Sequence, residues 1–326
     1  MKNIDQAKYP KVVFGNNVII KADSIIIKEG VRIGNDVQIE AKTVIIGYDS
    51  IIESGTLTKG LGCEMEKFIL GDNCFIGFNN QILVPYFTML DFSQIHNSCL
   101  INGYKRISIG NNCWIGQQSI LNSTEELTIC NNVRIGTQSQ LWTHVASGEL
   151  LEGCTLFGKK PLVLEDNVWI VGGAVISPGL ILKHNSIIMT GSVLTKNTEA
   201  YNTYAGVPAK NVTDKLNFWV KPDITQKAEK LKTFIIEFTN EMTEYHGKIH
   251  FFNKINEAAN YLDLENQLIF IKEMQEFSKY LDAKATIFDL ATKMYIKKRS
   301  KIEIDWMRFS IGYRARFIPF VEKQEK

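Results

Sequence analysis

Nowhere does the chain run for the ~18 consecutive apolar residues that a membrane-spanning helix needs. Its first residues, Met1-Lys2-Asn3-Ile4-Asp5, lack the apolar core of a signal peptide. Basic residues never gather into a stripe: the densest run is Lys297-Lys298-Arg299. With 37 Lys and Arg against 35 Asp and Glu, the net charge is only +2. A nucleic-acid partner or a charged membrane surface is therefore not expected. The 6 cysteines include no C-x-x-C pair and no zinc-type spacing, so the expectation is a cytoplasmic protein with free thiols and no metal. Cys74 and Cys113 stand where Val37 stands in comparable stretches and read as small core residues, not nucleophiles. Histidine is scarce as well, at 5 in all.

What the chain does have is a period of six. Ile27, Ile33, Ile39, Ile45, Ile51 and Leu57 follow one another at that interval. The spacing resumes at Leu70, Ile76 and Ile82, at Ile109, Ile115 and Leu121, and at Ile129, Ile135 and Leu141. It closes with Leu164, Ile170, Ile176, Leu182, Ile188 and Leu194. A second small or apolar residue precedes many of these anchors by two, as Val31, Val37, Val133, Val168 and Ala174 do. Neither a helix nor a simple strand repeats every six residues. A triangular coil does: three short strands make a coil of about eighteen residues, and the anchors stack inward on those of the next coil. Asn and Gly after the anchors suit the left-handed backbone of sharp corners. A β-sandwich would instead show alternation with turns every ~8–12 residues.

The expected fold is thus mainly β, a parallel β-helix of about seven coils over residues 1–212. The period lapses at 58–69, 83–108, 122–128 and 142–163. The segments 83–108 and 142–163 are expected to protrude as loops, where recognition and catalysis concentrate. Residues 213–326 lose the repeat and read as a small α+β domain. Asp223 starts a helix with Leu231, Phe234, Ile235 and Phe238 on one face, and the strand candidates are His250–Phe252 and Gln267–Ile271. His246 and His250 lie four apart, but Gly247 interrupts them and no third ligand is evident, so they read as a loop or strand-edge pair.

From Trp142 to Val212 the chain resembles the hexapeptide-repeat acyltransferases, in the branch of galactoside, chloramphenicol-type and nucleotide-sugar acetyltransferases. The matching residues are Thr143-His144, then Lys160-Pro161-Leu162 through Trp169-Ile170, then Gly191-Ser192-Val193-Leu194-Thr195-Lys196, and the closing Tyr204-Ala205-Gly206-Val207-Pro208-Ala209-Lys210. The resemblance implies a left-handed β-helix, a homotrimer, coenzyme A with acetyl-CoA as acyl donor, and a small-molecule sugar as acceptor.

It also implies site residues. His144 corresponds to the family's histidine, and histidine alone has an unperturbed pKa suited to take the acceptor's proton near neutrality. His96 is its rival, and His184 reads as a corner residue. Gly172, Gly173, Thr190, Gly191, Thr195 and Lys196 match the positions that line coenzyme A, and Lys210 the cation that meets its phosphates. On the acceptor side the candidates are Trp142, Trp169 and Glu125. The family's orienting carboxylate falls near Thr124, so that Glu125 and Glu126 are candidates for that role or plain surface charges. No serine or cysteine nucleophile motif appears, which favours direct transfer in a ternary complex.

Three other readings compete. A γ-type carbonic anhydrase needs three zinc histidines, two of them about five residues apart, whereas residues 1–212 offer only His96, His144 and His184. A non-catalytic scaffold has no need of His144. An acyltransferase with an acyl-carrier-protein donor or a non-sugar acceptor would keep the fold and change the partner.

Overall fold

The computed structural model describes residues 1–321. It divides into two compact units, Met1–Trp219 and the residues from Val220 onward. The first unit is the expected parallel β-helix. Its three faces are sheets of 11, 10 and 8 strands among the described residues. The first face begins at Val13–Phe14, the second is entered at Ile19–Ala22 and the third at Ser24–Ile27. Neighbouring strands within each face are parallel. The exceptions are Lys2–Asn3, which caps the second face antiparallel, and Ala209–Asn211, which closes the first.

The corners explain the Asn and Asp content. Where the third face turns into the first, Asn73, Asn112, Asn132, Asn167 and Asn185 hold φ between 55° and 62°, which short polar side chains tolerate best after glycine. The residue before such a corner position lends its side chain to the coil before it. Asp91 Oδ1 accepts from Asp72 N at 2.8 Å, Asn131 Oδ1 from Asn111 N at 2.9 Å and Asp166 Oδ1 from Asn131 N at 2.7 Å. These ladders satisfy corner N–H groups that no strand reaches.

Two expectations need correction. The first is that residues 83–108 protrude. They are built into the wall, as strands Tyr86–Met89, Gln94–Ile95, Leu100–Gly103 and Ile107–Ile109. Among their inward places are Phe87, Met89, Ser93 and Cys99, all buried, which a count of aliphatic anchors passes over. The eight strands of the third face make eight complete coils rather than seven.

The second correction is the coil length. Arg32 pairs with Ile51, nineteen residues on, and Gln94 with Trp114 and Trp114 with Arg134, twenty on. The last coil spans eighteen, from Val163 to Ile181, Trp169 to Ile187 and Val175 to Val193. A strict period of eighteen therefore slips by one residue per coil, and a slip of one turns a strand residue to the other side. Ile46, Ile52 and Thr58 point into the core, while Ile45, Ile51 and Leu57 are only half-buried. The additional residues enter where the second face turns into the third. They create an extra inward column of Ala22, Ala41, Val84, Gly103, Ser123 and Thr143, all buried.

The C-terminal unit packs helices against one sheet. Helix α1 (Ile224–Glu241) starts at a capping box: Asp223 accepts from the backbone of Thr225 and Gln226, and Gln226 returns the bond to Asp223 N. Strands β1 (Ile249–Phe252), β2 (Leu268–Ile271) and β3 (Thr286–Asp289) are parallel. Strand β4 (Met294–Ile296) returns antiparallel to β3, and β5 (Ile318–Pro319) runs parallel to β4. Helix α2 (Lys301–Ser310) buries Trp306 against Phe270 and Phe238. Among the described residues no helix is long and apolar enough to cross a membrane.

The register correction is testable. Ile46→Ala should lower stability by about 2–5 kcal/mol, and the adjacent Ile45→Ala by less than half as much, measured by chemical denaturation of each variant. Equal losses would contradict the inward assignment of Ile46.

Candidate active site

The corner between the second and third faces carries His144. Leu121 pairs with Leu141, Leu141 with Ile176 and Ile176 with Leu194. The residues that follow them, Asn122–Thr124, Trp142–His144, Ser177–Gly179 and Thr195–Asn197, therefore succeed one another along a single edge. At His144 the chain leaves the edge as an antiparallel hairpin, His144–Ala146 against Phe157–Lys159, before it rejoins the third face at Leu162–Leu164. The expected excursion at 142–163 is thus a hairpin rooted at His144.

The ring of His144 is half-buried and held on one side. Its Nδ1 lies 3.0 Å from Asn122 Oδ1 and 3.0 Å from Thr124 Oγ1. Asn122 is buried, and its Oδ1 also accepts from Thr124 N at 3.1 Å and from the Thr143 hydroxyl at 3.0 Å. A backbone N–H can only donate, so the atom that faces it is the amide oxygen. The same oxygen faces His144 Nδ1, which must therefore carry the proton. In the neutral ring that leaves the lone pair on Nε2, the tautomer a general base needs. An amide in this place orients the ring without adding a negative charge. Trp142 stands edge-on to the imidazole at 5.9 Å, its indole N–H donating to Gln140 Oε1 at 3.2 Å.

The other expected residues divide into groups. Thr195, Lys196 and Lys210 meet in a cleft of about 320 Å³, with Tyr204, Pro208 and Asn211 among its walls and no carboxylate in the lining. The cleft stands two coils beyond His144 on the same edge, about 10 Å along the prism axis at the usual strand spacing. Gly172, Gly173, Thr190 and Gly191 form a second group at the first-to-second corner, where Gly191 N donates to Gly172 O at 3.0 Å. Gly173 and Gly191 there hold φ of 57° and 69°.

Trp169 is exposed on the first face, paired with Arg134 and Ile187, on a different side of the prism from His144. Glu125 contributes its backbone N–H to Thr143 Oγ1 at 3.0 Å. The partners of the imidazole are Asn122 and Thr124, not Glu125 or Glu126.

The rival His96 stands at the first-to-second corner, its ring against Phe75 and Trp114 and its Nε2 buried without a partner among the described residues. Burial holds its pKa below the usual histidine value, and the edge that carries His144 is not its own. His184 is a corner residue, its backbone N–H bonded to Glu165 Oε2 at 3.0 Å. The Cys74 and Cys113 thiols are buried, and burial pushes the latter up to about 12, far from a reactive thiolate.

Asn122 is the residue that reading the sequence misses. Its signal is a polar run, Asn122-Ser123-Thr124, where the coil two earlier has Leu83-Val84-Pro85.

No family model matches the chain. Over 193 residues it is 26% identical to the bifunctional protein GlmU of Acaryochloris marina, covering 56% of this chain and 39% of that protein. Over 50 residues it is 40% identical to the galactoside O-acetyltransferase of Escherichia coli, covering 15% of this chain and 25% of the relative. Among solved structures, a hexapeptide-repeat-containing acetyltransferase from Vibrio cholerae is similar at 22% identity and a TM-score of 0.27, over 42% of this chain and 70% of that one. The chain spans less than half the length of these two curated relatives. The likeness is to hexapeptide-repeat acetyltransferases, the group its closing motifs resemble.

The Asn122 assignment predicts a tautomer. Ring-nitrogen NMR of the wild-type chain should show His144 protonated at Nδ1, and Asn122→Ala should release it into a mixture. The variant should also lose about 1–3 kcal/mol of stability, because the buried Thr124 N–H loses its acceptor and the Thr143 hydroxyl keeps only the Asn122 carbonyl. An unchanged tautomer would mean that Thr124 alone sets the ring.

Proposed function

We propose that this chain is an acyltransferase that moves an acetyl group from acetyl-CoA to a hydroxyl or amine of a sugar, either nucleotide-linked or part of a surface polysaccharide. The observation that carries the reading is the pairing, on one edge, of a histidine whose Nδ1 is pinned by Asn122 with a lysine-lined cleft two coils away. The likeness to named acetyltransferases supports the same class.

His144 Nε2 accepts the proton of the acceptor hydroxyl or amine as its oxygen or nitrogen attacks the thioester carbonyl. The new C–O or C–N bond forms as the C–S bond breaks, and the imidazolium returns the proton to the departing thiolate. Asn122 and Thr124 keep Nδ1–H occupied throughout, so that the ring presents only Nε2 to the reacting atoms. Thr195, Lys196 and Lys210 would hold part of the nucleotide end of coenzyme A, where ammonium groups act on phosphates as point charges. Gly172, Gly173, Thr190 and Gly191 present backbone close to the surface, which suits the narrow pantetheine arm. The reading includes a homotrimer, in which neighbouring prisms complete each groove.

His144→Ala should lower kcat by ~10²–10⁴ while acetyl-CoA binding changes little. Near-wild-type turnover, followed by release of free thiol, would remove His144 from the role of base. Lys210 acts far from the reacting carbonyl, so its contribution should be uniform binding. Lys210→Glu should raise KM for acetyl-CoA and leave kcat unchanged, and the defect should shrink as salt screens charges beyond ~8–10 Å. An unchanged KM at low salt would move the nucleotide away from this cleft.

A further inference from the structure

The lysine-lined cleft lies beyond His144, toward the closing coil. In a direct transfer the acceptor and the pantetheine arm meet at His144 and cannot share one stretch of edge. The coils that precede His144 are thus left for the acceptor.

Register shows what stands there. Gly103 pairs with Ser123 and Leu121 with Leu141. Tyr104, Thr124 and His144 therefore occupy one column at the second-to-third corner, each a coil, or ~4.8 Å, from the next. The Tyr104 side chain projects from the edge, and the residue is 60% exposed. Its backbone is fixed all the same, since its N–H and that of Lys105 both donate to Ser123 O at 2.9 Å. Gly103, at φ 153°, lets the chain come so close: an added Cβ there would lie 2.3 Å from the Ser123 carbonyl carbon. Thr124, between the two rings, is buried, and its short side chain is turned to the imidazole, with Oγ1 3.0 Å from Nδ1. Tyr104 and His144 thus stand two strand spacings apart, ~10 Å, across a low step.

The formal charges around the step cancel. Ile107 pairs with Leu127, so Lys105 and Arg106 lie one coil before Glu125 and Glu126. Arg106 is also engaged by the Tyr86 ring, at 5.4 Å from its centre. A diphosphate laid along this step would meet two carboxylates as well as two cations. An uncharged pyranose meets no such opposition. It offers a face of C–H bonds to an aromatic ring and hydroxyl donors to a carboxylate. A ring centred over Thr124 would lie one strand spacing from Tyr104, within the ~4.5–7 Å at which rings stack, with its hydroxyls on the side of His144.

We propose that Tyr104 is a specificity-determining residue, and that the acceptor is an uncharged pyranose without a nucleotide. The sugar rests over Thr124, with one face on the Tyr104 ring and a hydroxyl toward His144 Nε2. The proposal rests on the acyl-transfer reading and narrows its acceptor.

The test uses the full chain with acetyl-CoA and two kinds of probe: the methyl glycosides of galactose, glucose, mannose and N-acetylglucosamine, and uridine diphosphate galactose. With 3-fluorotyrosine in place of tyrosine, the fluorine resonance assigned to Tyr104 by its loss in Tyr104→Phe should shift on addition of a methyl glycoside. The same glycoside should release free thiol from acetyl-CoA. Tyr104→Ala should raise KM for the glycoside by about tenfold, with a smaller effect on kcat and none on KM for acetyl-CoA. Tyr104→Phe should retain the wild-type KM, because the ring and not its hydroxyl forms the wall. Both variants should unfold at the wild-type temperature, which separates the role from a structural one. Thiol release without the resonance shift overturns the proposal and keeps the acyl-transfer reading. The shift without thiol release supports the sugar site and overturns that reading. The proposal also fails if uridine diphosphate galactose binds more tightly than every methyl glycoside, or if Tyr104→Ala leaves KM for the glycoside unchanged.

Discussion

Every coil of the β-helix depends on its neighbour for its backbone hydrogen bonds. Gly110 N donates to Ile129 O at 2.8 Å and Gly136 N to Ile170 O at 2.7 Å, each one coil further along. No strand in the prism satisfies itself, and no coil is stable unless the next repeats its shape. Side chains are bound by the same condition, because a column that turns inward in one coil must turn inward in all. The corners follow from it too. Most of their left-handed residues are Asn, Asp or Gly, which adopt that backbone at the least cost, although Phe92, Gln118 and Gln138 hold it too. At Gly136 an added Cβ would overlap the Val171 carbonyl of the following coil.

The candidate site is a by-product of that ladder. Where the coils hold nineteen or twenty residues, the extra column at the second-to-third corner admits Ser123 and Thr143 to the interior, both fully buried. Polar groups there need partners. The Thr143 hydroxyl finds the Asn122 side chain, and that side chain is itself turned by the Thr124 N–H. The protonation site of an imidazole on the surface is thus decided by a backbone donor in the preceding coil. Orientation of an imidazole by a rigid stack needs no loop to close over it. It also explains why the edge, and not the flat faces, carries His144.

Much of this was legible in the residues. A repeat of six is incompatible with a helix or a free strand, and Ile76, Ile109 and Ile170 are buried in the columns that the count implies. His144 was visible because its flanking motif resembles known acyltransferases. The failures have distinct physical sources. The repeat was read as uniform, whereas the coils differ by one or two residues, so Ile45, Ile51 and Leu57 lie on the outward side. Aromatic, methionine and cysteine side chains fill inward places as well as isoleucine does, which hid residues 83–108 within the wall. Asn122 is hidden for another reason: the polar run Asn122-Ser123-Thr124 marks the place, but its role rests on atoms in the next coil. In the C-terminal unit the Asp223 cap announced α1, but the order of its strands depends on pairings between distant residues.

The unequal coils have a consequence for how such a chain can grow. Solenoids lengthen in evolution by duplicating a repeat, and most of the prism would accept a duplicated coil, since each coil contacts only its neighbours. One seam would not. A coil inserted between the strand Ile120–Ser123 and the strand Gln140–Leu141 would part Asn122 from His144 by a full strand spacing, ~4.8 Å, beyond hydrogen-bond reach. Length can therefore vary in the coils that precede Asn122, but the seam itself is indivisible.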